Sequence, residues 1–384
     1  MILRVPDYYK TFRCTADACK DSCCIGWEID IDEDTYEFYR QQQGAFGERL
    51  QTHMYETYEG EHSFRLGKGG RCPFLNDRNL CDICIELGEE ALSEVCTEYP
   101  RFAIVYGDVL QKCLSLSCEE VGRILFSREE PVKIVDYHIG GEAAGDDASE
   151  DEAFEDELQW ISFLERVQEY AIELLQERKS PLAQRICRFL TWMETVQNAV
   201  NESEKIPDLE KCIYKFENEA ENNRKKKAEY SSEIFFARFD AFTEMETLDH
   251  EWEEVKGELG KTFSADEEDS YRNLLQQYLE SPSYQERDYE QLLVYFFFRY
   301  FMNSVYDYEV LSYAKLAVVF TLVIRDMDVV RWKKNQGKYD LADRIDVVRI
   351  FSKEVEHSQE NVELIREAFL FEEVYRVDSL IEQV

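Results

Sequence analysis

The stretch Cys14-Thr-Ala-Asp-Ala-Cys19-Lys-Asp-Ser-Cys23-Cys24-Ile-Gly-Trp27 carries four cysteines in eleven positions. Six more, Cys72, Cys81, Cys84, Cys96, Cys113 and Cys118, follow before residue 119, and only Cys187 and Cys212 lie beyond. Cysteines placed for packing would scatter with the core. Crowding onto short polar loops instead suits a soft metal, whose thiolate ligands must converge from several backbone directions. The first third of the chain therefore reads as a cysteine-rich metal-binding domain.

Around these cysteines the pattern is mixed. Ile25-Gly-Trp27-Glu28-Ile29-Asp30-Ile31-Asp32 alternates with the period of a half-buried strand. Glu28, Asp30 and Asp32 are then its solvated face, or, more sharply, an acidic wall beside the cysteines. Residues 34–58 turn helical. Gly67-Lys-Gly-Gly70 lacks phosphate-loop spacing and a Ser or Thr after its lysine, so it is a turn leading into Cys72. Residues 72–84 form a short loop or hairpin turning at Asn76-Asp77, and 85–95 a helix that delivers Cys96 and stops before Pro100. Segments 102–106 and 109–116 flank Gly107-Asp108 as a hairpin. Ser117-Cys118-Glu119-Glu120 reads as a capping box, which puts Cys118 in the first turn of a helix running to about residue 126. The exposed N–H groups there favour thiolate over thiol. Residues 131–138 supply one more strand.

From Glu142 to Glu157 there are nine acidic residues and no basic one, the composition of a self-repelling linker. Beyond it the periodicity is helical: 155–177, 181–201, 208–228, 233–259, 267–279, 287–304, 309–335, 339–357 and 361–383 read as separate helices. Pro181 falls in a first turn, and Ser264-Ala-Asp-Glu267 is a capping box. Segments 292–301 and 316–324 are apolar on nearly every side and are expected at the centre of a bundle. The fold class is α+β, mostly α: a cysteine-rich metal domain over 1–140, an acidic linker over 141–157 and a helical domain over 158–384.

The net charge of −37 sets a long-range field that repels nucleic acid and anionic membrane and attracts lysine-bearing proteins. Residues 1–33 read as loop with short extended pieces. The N-terminus lacks the apolar run and small-residue cleavage site of a signal peptide and no apolar run reaches bilayer length, so membrane insertion is not expected. The chain reads as cytoplasmic, where thiols stay reduced and clustered cysteines mean metal or redox chemistry. Only Cys81-x2-Cys84 has zinc-knuckle spacing, and the radical adenosylmethionine triplet is missing because Cys24 directly follows Cys23. Ten thiols exceed one tetrahedral site, which leaves either two sites or several non-ligands. The five histidines are scattered, and Arg101 is a structural arginine or a partner for a ligand carboxylate.

Tyr8-Tyr9-x2-Phe12-x-Cys14-x4-Cys19-x3-Cys23-Cys24-x-Gly26-Trp27, Cys72-Pro-Phe-Leu75, Leu80-Cys81-x-Ile83, Leu87-Gly-Glu89, Cys96-x2-Tyr99-Pro100-Arg101 and Ser115-Leu-Ser-Cys118 together resemble the flagellin lysine-N-methylase family. The resemblance covers residues 6–126, with the helical remainder alike only in general character. It implies methyl transfer from S-adenosylmethionine to lysine ε-amines of flagellin by an enzyme with an iron–sulfur cluster, 4Fe-4S rather than the alternative zinc. It singles out Cys14, Cys19, Cys23, Cys24, Cys72, Cys81, Cys96 and Cys118 as metal ligands and gives Cys84 and Cys113 no role. Glu119 stands where relatives have proline. No residue is assigned as catalytic base or as binding the methyl donor. The rivals are a non-enzymatic zinc- or iron-binding interaction module and a redox or metal-delivery protein.

Overall fold

Apolar runs at the N-terminus and on both sides of Gly107 build a sheet whose strands come from distant parts of the chain. A computed structural model describes residues 1–58, 60–140, 152–220, 228–264 and 270–384. Its strands are β1 (Ile2–Pro6), β2 (Asp30–Ile31), β3 (Met54–Glu56), β4 (His62–Phe64), β5 (Arg101–Tyr106), β6 (Val109–Leu114) and β7 (Ile134–His138). The larger sheet has the order β5-β6-β1-β7. β5 and β6 form the expected hairpin, with Arg101 opposite Leu114 and Tyr106 opposite Val109. β1 lies parallel to β6 and antiparallel to β7. The smaller antiparallel sheet is β2-β4-β3.

The helices are α1 (Glu33–Gln41), α2 (Gly44–His53), α3 (Asp82–Leu87), α4 (Glu94–Glu98), α5 (Glu119–Phe126), α6 (Glu152–Leu175), α7 (Leu182–Glu202), α8 (Leu209–Lys215), α9 (Ser232–Thr243), α10 (His250–Thr262), α11 (Ser270–Leu279), α12 (Glu286–Tyr300), α13 (Ser304–Asp307), α14 (Val310–Lys334), α15 (Leu341–Val355), α16 (Gln359–Phe371) and α17 (Val377–Glu382). The protein is mostly helical with two small sheets, as its periodicity implied. α12 and α14 form the buried centre, where the rings of Phe296, Phe320 and Phe351 meet at centroid distances of 5.2–6.0 Å. None of the described helices is long and apolar enough to cross a membrane.

Two apolar cores result. The larger joins Tyr8 and Phe12, which follow β1, and the strand residues Tyr106 and Leu114 to α5–α7 and to the central helices. The smaller gathers Ile29, Ile31, Tyr39, Leu50, Phe64, Phe74 and Ile83 around Cys72.

Several boundaries differ from expectation, each for a local reason. The alternating stretch after Cys24 is strand only at Asp30–Ile31, because Asp32 turns its carboxylate to the Thr35 amide and caps α1. Glu28 and Asp30 are exposed, and Asp32 also accepts from Glu94, so these acids serve solvent and caps. Residues 34–58 split into two helices and a strand. α3 begins at Asp82 and is stopped by Gly88 at φ +96°, which places Cys96 inside α4 and not at a helix end. Cys118, not Ser117, is the N-cap of α5, since Ser117 turns its hydroxyl to His357 and Tyr99. Pro181 likewise sits at the N-cap of α7. The expected 233–259 helix breaks at residues 244–249, where Glu354 accepts the amides of Leu248 and Asp249, both at 3.0 Å. The 361–383 segment divides into α16 and α17. Most of the acidic linker (141–151) and the Ser264 capping box (265–269) lie outside the described residues.

Candidate metal centre

The loop from Cys14 to Trp27 is shaped mainly by what it touches far away in sequence. Asp21 lies at its crest: its amide donates to Glu119 Oε1 at 2.7 Å, at the start of α5. Its carboxylate receives Arg349 Nη1 at 2.7 Å and Lys353 Nζ at 3.2 Å, both from α15. Lys20 beside it pairs with Asp346 of α15 at 3.1 Å. The loop then turns at Gly26, whose φ of +100° disfavours any side chain and where a Cβ would press on Lys353 and Asp249 at 3.2–3.3 Å. Locally, Thr15 Oγ1 lies 3.2 Å from Cys19 Sγ, and the Ala16 amide points at Cys14 Sγ.

The second half of the set hangs on a short ladder. The Cys72 amide donates to Cys24 O at 2.8 Å, Ile25 bridges Arg71, and Leu75 bridges Cys81. Gly67 and Arg71 close the glycine-rich turn through the 2.7 Å bond from Gly67 N to Arg71 O, so this segment is the structural turn expected. Asn76 accepts the amides of Arg78 and Leu80, which makes residues 75–81 a tight hairpin. Cys81 caps α3, and Cys96 follows on α4.

Burial and mutual charge raise most of these thiols. Burial pushes Cys72 up to about 12, and Cys96 and Cys118 each to about 11, with neighbouring cysteines adding to each. Burial also raises Cys19. Cys23 and Cys24 behave as a pair: Cys23 donates to Cys24, which draws Cys24 down to about 7 and holds Cys23 well above the ordinary thiol range. Metal binding would have to displace those protons, so uptake of metal releases acid.

The donor chemistry of these eight thiols fits a thiolate-bound metal. They are gathered rather than closed: among the described residues, no three His, Cys, Asp or Glu side chains are arranged to hold an ion. Cys84 lies against Cys81. Cys113 is different: it is buried on β6 beside Arg299 and Glu356, away from the cysteine loop. Arg101 donates to the carbonyls of Thr97 and Glu98 and stacks over Phe12, so it holds its own loop.

His357 also belongs to this region, which its position in the sequence gave no sign of. Its ring lies 4.7 Å from Trp27, 5.3 Å from Phe102 and 6.1 Å from Tyr99. Its Nε2 meets Ser117 Oγ at 2.9 Å and Ser115 Oγ at 3.2 Å, while Trp27 donates to Cys23 O. The Ser115-Leu-Ser117 alternation facing a buried partner was the available signal. Burial, with Arg299 and Lys353 nearby, lowers His357 to about 3. Below pH 6.5 the unfolded chain binds a proton that the native imidazole refuses, so this contribution is intact above 6.5 and fades as pH falls toward 3. Between pH 7.5 and pH 5 the wild type should lose about 1–2 kcal/mol relative to His357→Gln, read by urea unfolding. Parallel pH dependence in both proteins would disprove it.

Beside the cysteine loop opens a cleft of about 530 Å³ between Lys20, Glu119, Arg123 and the α15 residues Leu341, Ile345 and Asp346.

The sequence model of the FliB lysine N-methylase C-terminal domain matches residues 168–382, more than half of the chain. The chain belongs to the flagellin lysine-N-methylase family. It is the helical part, which resembled the family only in general character, that carries this match. The chain is 33% identical to a lysine-N-methylase of Salmonella typhimurium over 134 residues and 34% identical to one of Salmonella choleraesuis over 127. Each alignment covers 31% of this chain and 31% of the relative, so the shared stretch is under a third of those family members. The flagellar biosynthetic protein FliU of Salmonella muenchen is 32% identical over 126 residues, 31% of this chain and 75% of FliU. No solved structure matches.

Proposed function

We propose that this chain transfers methyl groups from S-adenosylmethionine to lysine ε-amines of flagellin, with a cysteine-held iron–sulfur cluster as its metal group. The observation that carries the reading is the position of the cysteine loop: in a chain of this family it is clamped by α15 at the mouth of a charged cleft. In the reaction the lysine nitrogen attacks the methyl carbon, the carbon–sulfur bond breaks, a thioether leaves and one N–H proton is lost. When bound, the cluster supplies a Lewis-acidic group near the methyl donor.

The chain's own residues supply the rest. Substrate lysine arrives as an ammonium ion, and the strongly negative protein draws it in. Glu119, Asp340, Asp343 and Asp346 line the cleft with carboxylates, and Lys20, Arg123 and Arg331 line it with cations. Both charges of an amino-acid head group therefore find partners, beside the apolar side chains of Leu341 and Ile345. Arg331 and Lys20 hold Asp346 ionised, near 2, so this carboxylate attracts an ammonium but is too weak a base to take its proton.

The test is incubation of anaerobically purified, metal-loaded protein with S-adenosylmethionine and flagellin, read by intact mass. Mass gains of one methyl per modified lysine are expected. Unchanged flagellin with metal present would reject the enzyme reading in favour of a metal-binding interaction module.

A further inference from the structure

We propose that the eight thiols form two separate metal centres: an inner one from Cys24, Cys72, Cys81 and Cys96, and an outer one from Cys14, Cys19, Cys23 and Cys118. The inference rests on the metal-binding part of the reading above and divides a ligand set that the sequence left whole.

Packing makes the division. Cys72 lies inside the smaller apolar core, and Cys24, Cys81 and Cys96 all pack against that same core. None of Cys14, Cys19, Cys23 or Cys118 does, and Cys118 instead packs against the larger core. The backbones of the inner four are tied together, Cys24 to Cys72 directly and Cys81 to Cys72 through Leu75. The outer four are brought together differently. The Asp21 amide on Glu119 lays the loop that carries Cys19 and Cys23 over the N-terminus of α5, which Cys118 caps.

The two groups meet at Cys23 and Cys24, which are consecutive in the chain.

Four thiolates satisfy tetrahedral zinc or one iron–sulfur cluster, whereas eight cannot share a single ion. The two centres also differ in access. Cys72 shares the buried core of Tyr39, Phe64, Phe74 and Ile83, and the other three inner thiols abut that core half-buried, the surroundings of a structural site. In the outer group Cys14 and Cys23 are exposed, and Lys20 and Glu119 run from it into the cleft wall. The outer centre is therefore the one that reactants reach, and the inner centre holds the loops.

The experiment is metal and acid-labile sulfide analysis of the anaerobically purified full chain, with protein quantified by amino-acid analysis. Wild type should hold two centres per chain. Cys14→Ser/Cys118→Ser and Cys72→Ser/Cys96→Ser should each retain about half of the metal. Loss of all metal in both variants, or a single centre in wild type, overturns the division while leaving metal binding intact. Wild type without metal overturns both. If the inner variant fails to fold by circular dichroism, the wild-type stoichiometry and the outer variant still decide.

Discussion

Arg344→Met is expected to cost about 3–5 kcal/mol of folding stability, the range for removing one partner of a buried ion pair. Arg344 and Asp328 are both fully buried, and the guanidinium hydrogen-bonds directly to the Asp328 carboxylate. The same carboxylate accepts Tyr289 OH at 2.6 Å and the Tyr339 hydroxyl, while Tyr278 OH lies 2.9 Å from Tyr289 OH. The guanidinium also sits 4.6 Å from the Tyr289 ring centroid. Methionine would fill the space yet leave Asp328 charged among tyrosines, or force it to take up a proton. Chemical denaturation measures the effect, and a loss below about 1 kcal/mol would show that the tyrosines alone suffice. Adding Asp328→Leu should recover part of the loss, because the stranded charge goes with it.

Arg349→Met should be nearly as damaging, at about 2–4 kcal/mol, and its consequences should concentrate at the cysteines. Arg349 is buried and joins three carboxylates, Asp21 at 2.7 Å, Glu251 at 2.8 Å and Asp346 at 3.1 Å. Without it, Asp21 keeps only Lys353 from α15. Amide exchange over residues 19–24 should accelerate at least about tenfold, the equivalent of about 1.4 kcal/mol of local opening. Amides of α12 and α14 should change only by the global loss. Uniform acceleration across the protein would refute a loop-specific role for this arginine.

What the sequence made legible was local. The β5–β6 hairpin announced itself through Gly107-Asp108 between two apolar runs, and α12 and α14 through segments with no polar face. The cysteines stood out by crowding. What stayed hidden depends on partners distant in the chain. Ser117 looked like a cap because Glu120 follows at the right spacing, but His357 and Tyr99 compete for its hydroxyl. The break between α9 and α10 depends on Glu354, more than a hundred residues away. The sorting of thiols into two groups depends on which of them abut the smaller apolar core, and adjacent Cys23 and Cys24 fall on opposite sides of that line.

The grip of α15 on Asp21 also orders events during synthesis. A nascent chain that has emerged as far as α14 already carries all twelve cysteines but neither Arg349 nor Lys353. The inner ladder, Cys24 to Cys72 to Cys81, can form from segments close in sequence. The crest of the outer loop has no cation from α15 to hold it until Arg349 and Lys353 have left the ribosome. Translation thus separates the two groups of thiols in time, and the more exposed one is framed later.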